Sequence, residues 1–176
     1  MLFKNITILD ENMEIKTGMY VAVDKDKIKY IGNNKPEGQF GREYDGRGKL
    51  LMPGFYNSHA HSPMSLMRGY GENLALQDWL NKKIFPFEDK LNGNAIYWGT
   101  MLSYAESLKF GIVSSSEMYY FMSDMARAVS DSGIKANLSR AVVNFDDSDV
   151  WQLPSVREMK SAFEQYHNAC DGRIKM

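Results

Sequence analysis

The spacing of hydrophobic residues along this chain changes near residue 52. Before that point, apolar residues occur in short runs, with alternation at Ile6 and Ile8, which predicts β-strands at residues 3–9, 19–23 and 27–31. Clusters of turn-forming residues separate these runs, and one more short apolar run covers residues 49–52. We therefore expect an N-terminal unit over residues 1–52 that consists of a small antiparallel sheet.

After residue 52, strand patterns alternate with helix patterns. The predicted strands cover residues 55–59, 112–116, 134–140 and 173–176, and the predicted helices cover residues 76–84, 94–110, 123–132 and a stretch that begins at 155. Such alternation predicts a parallel sheet with crossover helices, as in doubly wound sheets and in (β/α)₈ barrels. A barrel needs roughly 250 residues. We therefore expect residues 53–176 to be part of a longer domain.

Several local signals set the expected helix ends. Pro86 is expected to end the first helix, and Gly111 and Gly133 to stop the next two helices. Ser123 is expected to cap the third helix, and Ser155 to open the fourth in a capping box with Glu158. In the second helix the predicted apolar face comprises Tyr97, Met101, Tyr104, Ala105 and Leu108.

Composition narrows the range of partners and compartments. Hydrophobic residues make up 44% of the chain and charged residues 24%, and the formal net charge is -1, which argues against nucleic acid or an acidic membrane as the partner. No apolar run approaches the length of a membrane span, and the N-terminus lacks a secretory signal pattern. The single cysteine, Cys170, has no partner for an internal disulfide. We therefore expect a cytoplasmic protein.

Two of the three histidines, His59 and His61, lie two positions apart at the end of the first strand that follows residue 52. Alternate side chains of a strand share one face, so both imidazoles are expected to reach one metal ion. Imidazole suits zinc, iron, nickel or copper, although histidines with only structural hydrogen bonds are also common. Two ligands do not complete a metal site, so the pair alone leaves both interpretations open.

The residues around this pair carry a family resemblance. Residues 52–70, which read MPGFYNSHAHSPMSLMRGY, resemble the first-strand signature of the amidohydrolase superfamily. They are most similar to the branch of 5-methylthioadenosine/S-adenosylhomocysteine deaminases and related aminohydrolases and chlorohydrolases. Residues 76–88 and 133–140 resemble later parts of the same family. The resemblance implies that residues 1–52 are the N-terminal β-sandwich part and residues 53–176 the first half of a (β/α)₈ barrel.

The resemblance also implies a chemistry. Family members bind one divalent metal, zinc or in some cases iron, and use a metal-activated water to release ammonia from a small-molecule substrate. Carried over, His59 and His61 are metal ligands, Glu88 binds the ribose hydroxyls of a nucleoside, and Arg140 contacts the substrate. The two other metal ligands and the proton-transferring residues of the family have no counterpart in this sequence. We expect them downstream of Met176, and we expect the 176-residue chain alone to be inactive.

Each assignment has an alternative. Glu88 is also consistent with a solvated carboxylate, and Arg140 with a structural ion pair. Trp79 and Phe85 are candidates to line a purine pocket, but aromatic residues at such positions more often pack in the core. Glu117 receives no role, and the third histidine, His167, is expected to be a partly exposed helix residue. The alternative substrates are guanine, cytosine and chlorinated triazines, and the alternative to an enzyme is an inactive module. The expected partners are a complementing C-terminal portion or a second copy in a homo-oligomer.

Overall fold

The structure is a computed structural model, and it describes residues 1–144, 146 and 149–176. The chain divides into two compact units, Met1–Pro53 and Gly54–Met176. The predicted helix and strand elements lie within the described residues.

The first unit is a five-stranded mixed sheet. Strands β1 (Leu2–Leu9), β2 (Ile15–Asp24) and β3 (Lys27–Gly32) pair antiparallel, as the alternating pattern predicts. Strands β4 (Glu43–Asp45) and β5 (Leu50–Leu51), however, both pair parallel to β1. The expectation of an antiparallel sheet is therefore wrong for these two strands. A tight hairpin joins only antiparallel neighbours, so parallel pairing needs a longer connection. The loop between β3 and β4 is long enough to carry the chain across the sheet to the edge of β1.

The core of this sheet follows from the two-residue repeat. Ile6 and Ile8 on β1 and Met19 and Val21 on β2 are all buried on the same face. Alternate residues of a strand point to the same side, so two neighbouring strands with this spacing bury one continuous apolar patch.

The second unit contains four parallel strands in the order β6, β7, β8, β9. They are β6 (Phe55–Ala60), β7 (Ile112–Tyr119), β8 (Lys135–Arg140) and β9 (Ile174–Lys175). Helical segments separate them along the chain, as the predicted alternation requires. The carboxyl ends of parallel strands lie at one edge of a sheet, so the residues that follow β6, β7 and β8 are brought together.

The segment after β6 stays helical for longer than its proline suggests. It consists of α1 (Leu76–Trp79), a π-helical turn (Leu80–Ile84) and α2 (Phe85–Glu88). Pro86 therefore lies inside the helical stretch, and the prediction that it ends the helix is wrong. In the wider π turn the Phe85 amide donates to the Leu80 carbonyl, so the hydrogen-bond register has already shifted where the proline lacks its N–H. This extension carries Glu88 to the end of α2.

Three longer helices complete the unit: α3 (Gly93–Lys109), α4 (Met122–Ser132) and α5 (Pro154–Tyr166). Gly111 follows α3 and Gly133 follows α4, both with positive φ, as predicted for helix stops. The two predicted serine caps are wrong. Phe121 and Leu153 occupy the N-cap positions without a side-chain hydrogen bond, and Ser123 and Ser155 lie inside their helices. Pro154, suited to the first helical position, starts α5 one residue early.

The buried face of α3 also differs from the prediction. Ile96, Thr100 and Tyr104 are buried, whereas Ala105 and Leu108 are exposed. Of the predicted apolar face only Tyr104 is fully buried, because α3 packs against α4 and the Ser62–Met67 segment through the neighbouring stripe of residues. Within the described residues, no helix has the length and apolar character needed to cross a membrane.

Candidate active site

His59 and His61 bring their imidazole rings together at the end of β6. His59 is in the strand, and His61 immediately follows it, at the start of a 3₁₀ helix (Ser62–Met67). Their Nε2 atoms are 3.2 Å apart, and the rings are nearly perpendicular at 88°. Two nitrogens bound to one tetrahedral zinc ion at 2.0–2.1 Å lie about 3.3 Å apart. The spacing of the pair therefore fits two adjacent ligands of one metal ion.

A backbone carbonyl orients the ring of His61. Its Nδ1 lies 2.6 Å from the carbonyl oxygen of Met118 on β7. A carbonyl only accepts hydrogen bonds, so Nδ1 carries the proton and Nε2 of the neutral ring keeps its lone pair, directed towards His59. Metal-binding histidines commonly donate their second N–H to a carbonyl or carboxylate in this way. The second nitrogen of His61 is therefore arranged as in a metal ligand.

Two histidines do not make a complete metal site. Across residues 1–144, 146 and 149–176, no cluster of three or more His, Cys, Asp or Glu side chains is placed to hold a metal. His167 caps the end of α5, where its Nδ1 accepts a hydrogen bond from the Met176 amide at 3.2 Å and its ring stacks on Phe163. His167 is thus half-buried at a helix end, close to its predicted position, and has a local structural role.

Glu88 is held by two tyrosines. The Tyr119 hydroxyl donates to Oε1 at 2.7 Å, and the Tyr120 hydroxyl donates to Oε2 at 3.4 Å. Burial raises the pKa of Tyr119 well above its usual value, and the hydrogen bond to Glu88 adds to the rise. Burial also raises the pKa of Tyr120, with the nearby charge of Glu88 as the second cause. Both phenols therefore stay protonated as donors, and Glu88 is a fixed carboxylate rather than a freely solvated one.

Arg140 ends β8 and interacts with three partners among the residues that the structure describes. Its Nε donates to Glu158 of α5 at 2.8 Å, its Nη1 donates to the Ala141 carbonyl at 2.8 Å, and its guanidinium lies 4.6 Å from the centre of the Tyr120 ring. The ion pair of the structural alternative is therefore present. The same side chain also faces a cavity that Glu88 lines.

Two cavities connect these residues. The larger one has a volume of about 450 Å³ and is bounded by Glu88, Arg140, Glu158 and aromatic side chains. The smaller one, of about 210 Å³, is bounded by His61 and Trp79 among others. Three residues line both cavities: Phe85, Glu88 and Tyr120. A continuous surface therefore runs from His61 past Glu88 to Arg140. The larger cavity has the size of a small-molecule site.

Sequence reasoning did not identify all of these residues. Tyr119 and Tyr120 are not among the predicted site residues, although two phenols at the end of a strand are a usable signal for a polar pocket. Glu158 was assigned to a capping box, and nothing in the sequence indicates that it pairs with Arg140, 18 residues away. Trp79 and Phe85 line the smaller cavity, which agrees with their possible place in a purine pocket. The roles of His59, His61, Glu88 and Arg140 stay predictions.

Comparison with known families gives a match over most of the chain. The amidohydrolase family matches residues 50–174. A 5-methylthioadenosine/S-adenosylhomocysteine deaminase of Thermoanaerobacter pseudethanolicus is 34% identical over 100% of this chain and 41% of its own length. A 5′-deoxyadenosine deaminase of Methanobrevibacter smithii is 38% identical over 99% of this chain and 40% of its own length. The chain thus spans about two fifths of the length of these relatives.

Solved structures agree on the fold. The structure of an atrazine chlorohydrolase from Arthrobacter aurescens complexed with zinc has a TM-score of 0.83 at 20% identity, over 99% of this chain and 45% of that one. The structure of an adenosine deaminase from Xanthomonas campestris with bound zinc has a TM-score of 0.81 at 25% identity, over 99% of this chain and 41% of that one.

Proposed function

Because the chain belongs to the amidohydrolase family, we propose that it is the N-terminal part of a metal-dependent aminohydrolase. The proposed reaction is the hydrolytic deamination of a purine nucleoside derivative, of the kind represented by 5-methylthioadenosine and S-adenosylhomocysteine. Relatives that are named as deaminases of adenosine derivatives support this substrate class. The observation that carries the proposal is the surface that joins His61, the neighbour of His59, to Glu88 and Arg140.

His59 and His61 are proposed to bind one divalent metal ion. Zinc is the preferred ion, and iron is the alternative. The zinc bound in two similar structures supports this choice. When bound, such an ion lowers the pKa of a coordinated water and so supplies a hydroxide-like nucleophile at neutral pH. The task of His61 is to present Nε2, which its bond to the Met118 carbonyl fixes in direction.

Glu88 and Arg140 are proposed to bind the substrate. Each oxygen of a carboxylate has two lone pairs, so Glu88 is able to accept two vicinal hydroxyls while it keeps the hydrogen bonds from Tyr119 and Tyr120. Trp79 and Phe85 line the cavity between Glu88 and His61 and provide apolar surface for a purine ring. Arg140 lies over the Tyr120 ring and lines the larger cavity with Glu88, and it is proposed to contact the 5′-substituent.

The rest of the active site is proposed to come from residues outside these 176, either further along a longer chain or in a complementing polypeptide or second copy. We propose that residues 1–52 are the β-sandwich part and residues 53–176 the first half of a (β/α)₈ barrel. The order of the strands supports a barrel, because β6 to β9 are neighbours in chain order and a doubly wound sheet reverses its strand order.

Ammonia release by the longer protein that contains this chain tests the proposal. The substrates to compare are 5-methylthioadenosine, S-adenosylhomocysteine, 5′-deoxyadenosine, guanine, cytosine and a chlorinated triazine, for which the release of chloride is measured instead of ammonia. The double variant His59→Ala/His61→Ala is the inactive control. The proposal predicts turnover of at least one adenosine derivative and none by the control. Turnover of guanine, cytosine or the triazine alone would assign a different substrate within the family.

The second candidate is an inactive module, and one observation favours it for the 176 residues taken alone. The described part of the chain contains no third metal ligand beside the histidine pair. Metal analysis of the purified chain separates the two cases. One tightly held ion per chain would oppose the inactive module, and the absence of a bound ion would support it.

A further inference from the structure

Glu117 on β7 is a carboxylate buried to 2% exposure, and the proposed chemistry does not use it. It accepts three hydrogen bonds: from the Ser62 amide at 3.0 Å, from the Ser62 hydroxyl at 2.6 Å and from the Ser115 hydroxyl at 2.6 Å. Burying a carboxylate costs several kcal/mol unless its oxygens are well satisfied. Both oxygens of Glu117 accept hydrogen bonds from Ser62, the residue after His61. This arrangement therefore calls for an explanation beyond core packing.

The position of Glu117 in the sheet suggests its role. The last backbone pair between β6 and β7 joins Ala60 and Glu117, after an irregularity in the register. Beyond this pair, other contacts replace the backbone hydrogen bonds between the two strands. The Glu117 carboxylate accepts a hydrogen bond from Ser62, and the Met118 carbonyl accepts one from the ring of His61. Glu117 and Met118, which are successive in β7, thus bind Ser62 and His61, the two residues that follow β6.

On the basis of the proposed metal site, we propose that Glu117 is a positioning residue that fixes His61 for metal binding through Ser62. The amide of Ser62 belongs to the peptide unit that follows His61, so a fixed amide restricts the backbone of His61 and the direction of its Cβ. The Ser103 hydroxyl of α3 also donates to the Ser62 hydroxyl at 3.0 Å, which ties the same point to the helix layer. With the backbone held, the ring meets the Met118 carbonyl, and Nε2 points at His59.

The consequence is a preformed pair of nitrogens. If Ser62 moves, the His61 ring leaves the Met118 carbonyl, and the tautomer with a bare Nε2 loses its preference. Groups that orient metal ligands typically change metal affinity by 10–100-fold when they are removed. We expect a change of this size for Glu117, although it touches neither histidine.

The variant Glu117→Gln tests the proposal in the 176-residue chain. Glutamine keeps the shape but loses the charge and one accepting oxygen. The Ser62 amide then keeps its acceptor only if the NH₂ group faces the Ser62 and Ser115 hydroxyls and both hydroxyls turn to accept instead of donate. Long-range ¹H–¹⁵N NMR of the histidine rings, without any metal, reports the tautomer of His61. We expect the ratio of the Nδ1–H to the Nε2–H form to fall about five- to tenfold, the effect of one lost hydrogen bond.

The control is Glu106→Gln, which alters an exposed carboxylate of α3 that pairs with Arg68. It should leave the His61 ring signals unchanged. If Glu117→Gln fails to fold, Glu117→Asp serves instead, because the shorter side chain keeps the charge but draws its oxygens away from the Ser62 amide. Ring signals identical to those of the wild type in the folded variant would overturn the proposal.

Titration with Co²⁺ gives the second readout. A 10–100-fold weaker affinity in Glu117→Gln than in the wild type and in Glu106→Gln supports the positioning role, and equal affinities contradict it. If the wild-type chain binds no Co²⁺, the proposed metal site fails in this chain, while the NMR result still decides whether Glu117 sets the tautomer of His61. The two failures are therefore distinguishable.

Discussion

The Tyr119 hydroxyl donates a 2.7 Å hydrogen bond to Oε1 of Glu88, and it joins the end of β7 to the end of α2 across 31 residues of sequence. Tyr119 is only 3% exposed, whereas Glu88 is half-buried and lines both cavities. The buried Tyr119 therefore fixes the orientation of the more accessible Glu88 side chain. This contact gives Glu88 a defined orientation before any ligand enters.

We expect Tyr119→Phe to weaken the binding of substrates with vicinal ribose hydroxyls. A hydrogen bond to a charged group contributes about 1.5–3 kcal/mol, so a rise in KM of roughly tenfold or more follows if Glu88 loses its orientation. Steady-state kinetics of the longer protein measure this effect. Tyr97→Phe is the matched control, because it removes a phenol–carboxylate bond of 2.9 Å to Asp131, between α3 and α4. Equal KM values for both variants would show that Tyr119 does not support Glu88 in binding.

Metal binding should stabilise the chain only when both histidines of the pair are present. A ligand that binds the folded state alone raises the melting temperature as its concentration rises above its Kd. We expect the increase in Tm caused by added Zn²⁺ to disappear in His59→Ala and in His61→Ala. His167→Ala should keep the increase, since His167 lies at the end of α5 and bonds to Met176. Loss of the Zn²⁺ effect in His167→Ala alone would move the site to that end of the chain.

The buried hydroxyl of Tyr104 should add no stability. Tyr104 on α3 is fully buried, and its hydroxyl oxygen has no hydrogen-bond partner of acceptable geometry among the described residues. Burial raises the pKa of this phenol, and the charge of Glu117 adds to the rise, so the group stays neutral. Removing an unpaired buried hydroxyl is neutral or favourable. We expect Tyr104→Phe to change the free energy of unfolding by 0 to about +1 kcal/mol in urea denaturation.

Thr100→Val provides the comparison for Tyr104→Phe. The Thr100 hydroxyl is equally buried but donates to the Ile96 carbonyl at 2.7 Å. Its removal should lower the free energy of unfolding by about 1 kcal/mol. A loss of similar size in Tyr104→Phe would mean that the Tyr104 hydroxyl has a partner after all.

The first unit should lose stability in acid through Glu43. Hydrogen bonds from Lys35 and then from Lys4 hold the pKa of Glu43 below its usual value of 4.5. Because the folded pKa is depressed, this contribution is present above the unfolded pKa and is lost as the pH falls through the folded value. Unfolding measured between pH 6 and pH 3 should therefore be less acid-sensitive in Glu43→Gln, as a small effect, since the group is exposed.

Glu37→Gln is the control for the acid experiment. Glu37 is an exposed carboxylate in the loop that precedes β4. It should show the acid sensitivity of the wild type. A wild-type pH profile in Glu43→Gln would mean that the ion pairs with Lys4 and Lys35 contribute nothing measurable.

The sequence by itself determined the features that depend on neighbouring residues. The two-residue repeat at Ile6 and Ile8 predicted a half-buried strand, and the glycines at 111 and 133 predicted helix stops, because these signals act within one or two turns of chain. The strand–helix alternation predicted the parallel pairing of β6 to β9. The signature around His59 and His61 also identified the family, which the match over residues 50–174 confirms.

The tertiary structure decided the features that depend on distant residues. Glu88 is set by tyrosines 31 and 32 positions away, Arg140 by Glu158, and Ser62 by Glu117 across 55 positions. No periodicity records such contacts, since they follow from the packing of whole elements. The same holds for Pro86 inside a helical stretch and for β4 and β5 beside β1. Local sequence determines which helices and strands form. The ends of these elements come into contact, and so form the candidate site, only when the sheet and its helices are assembled.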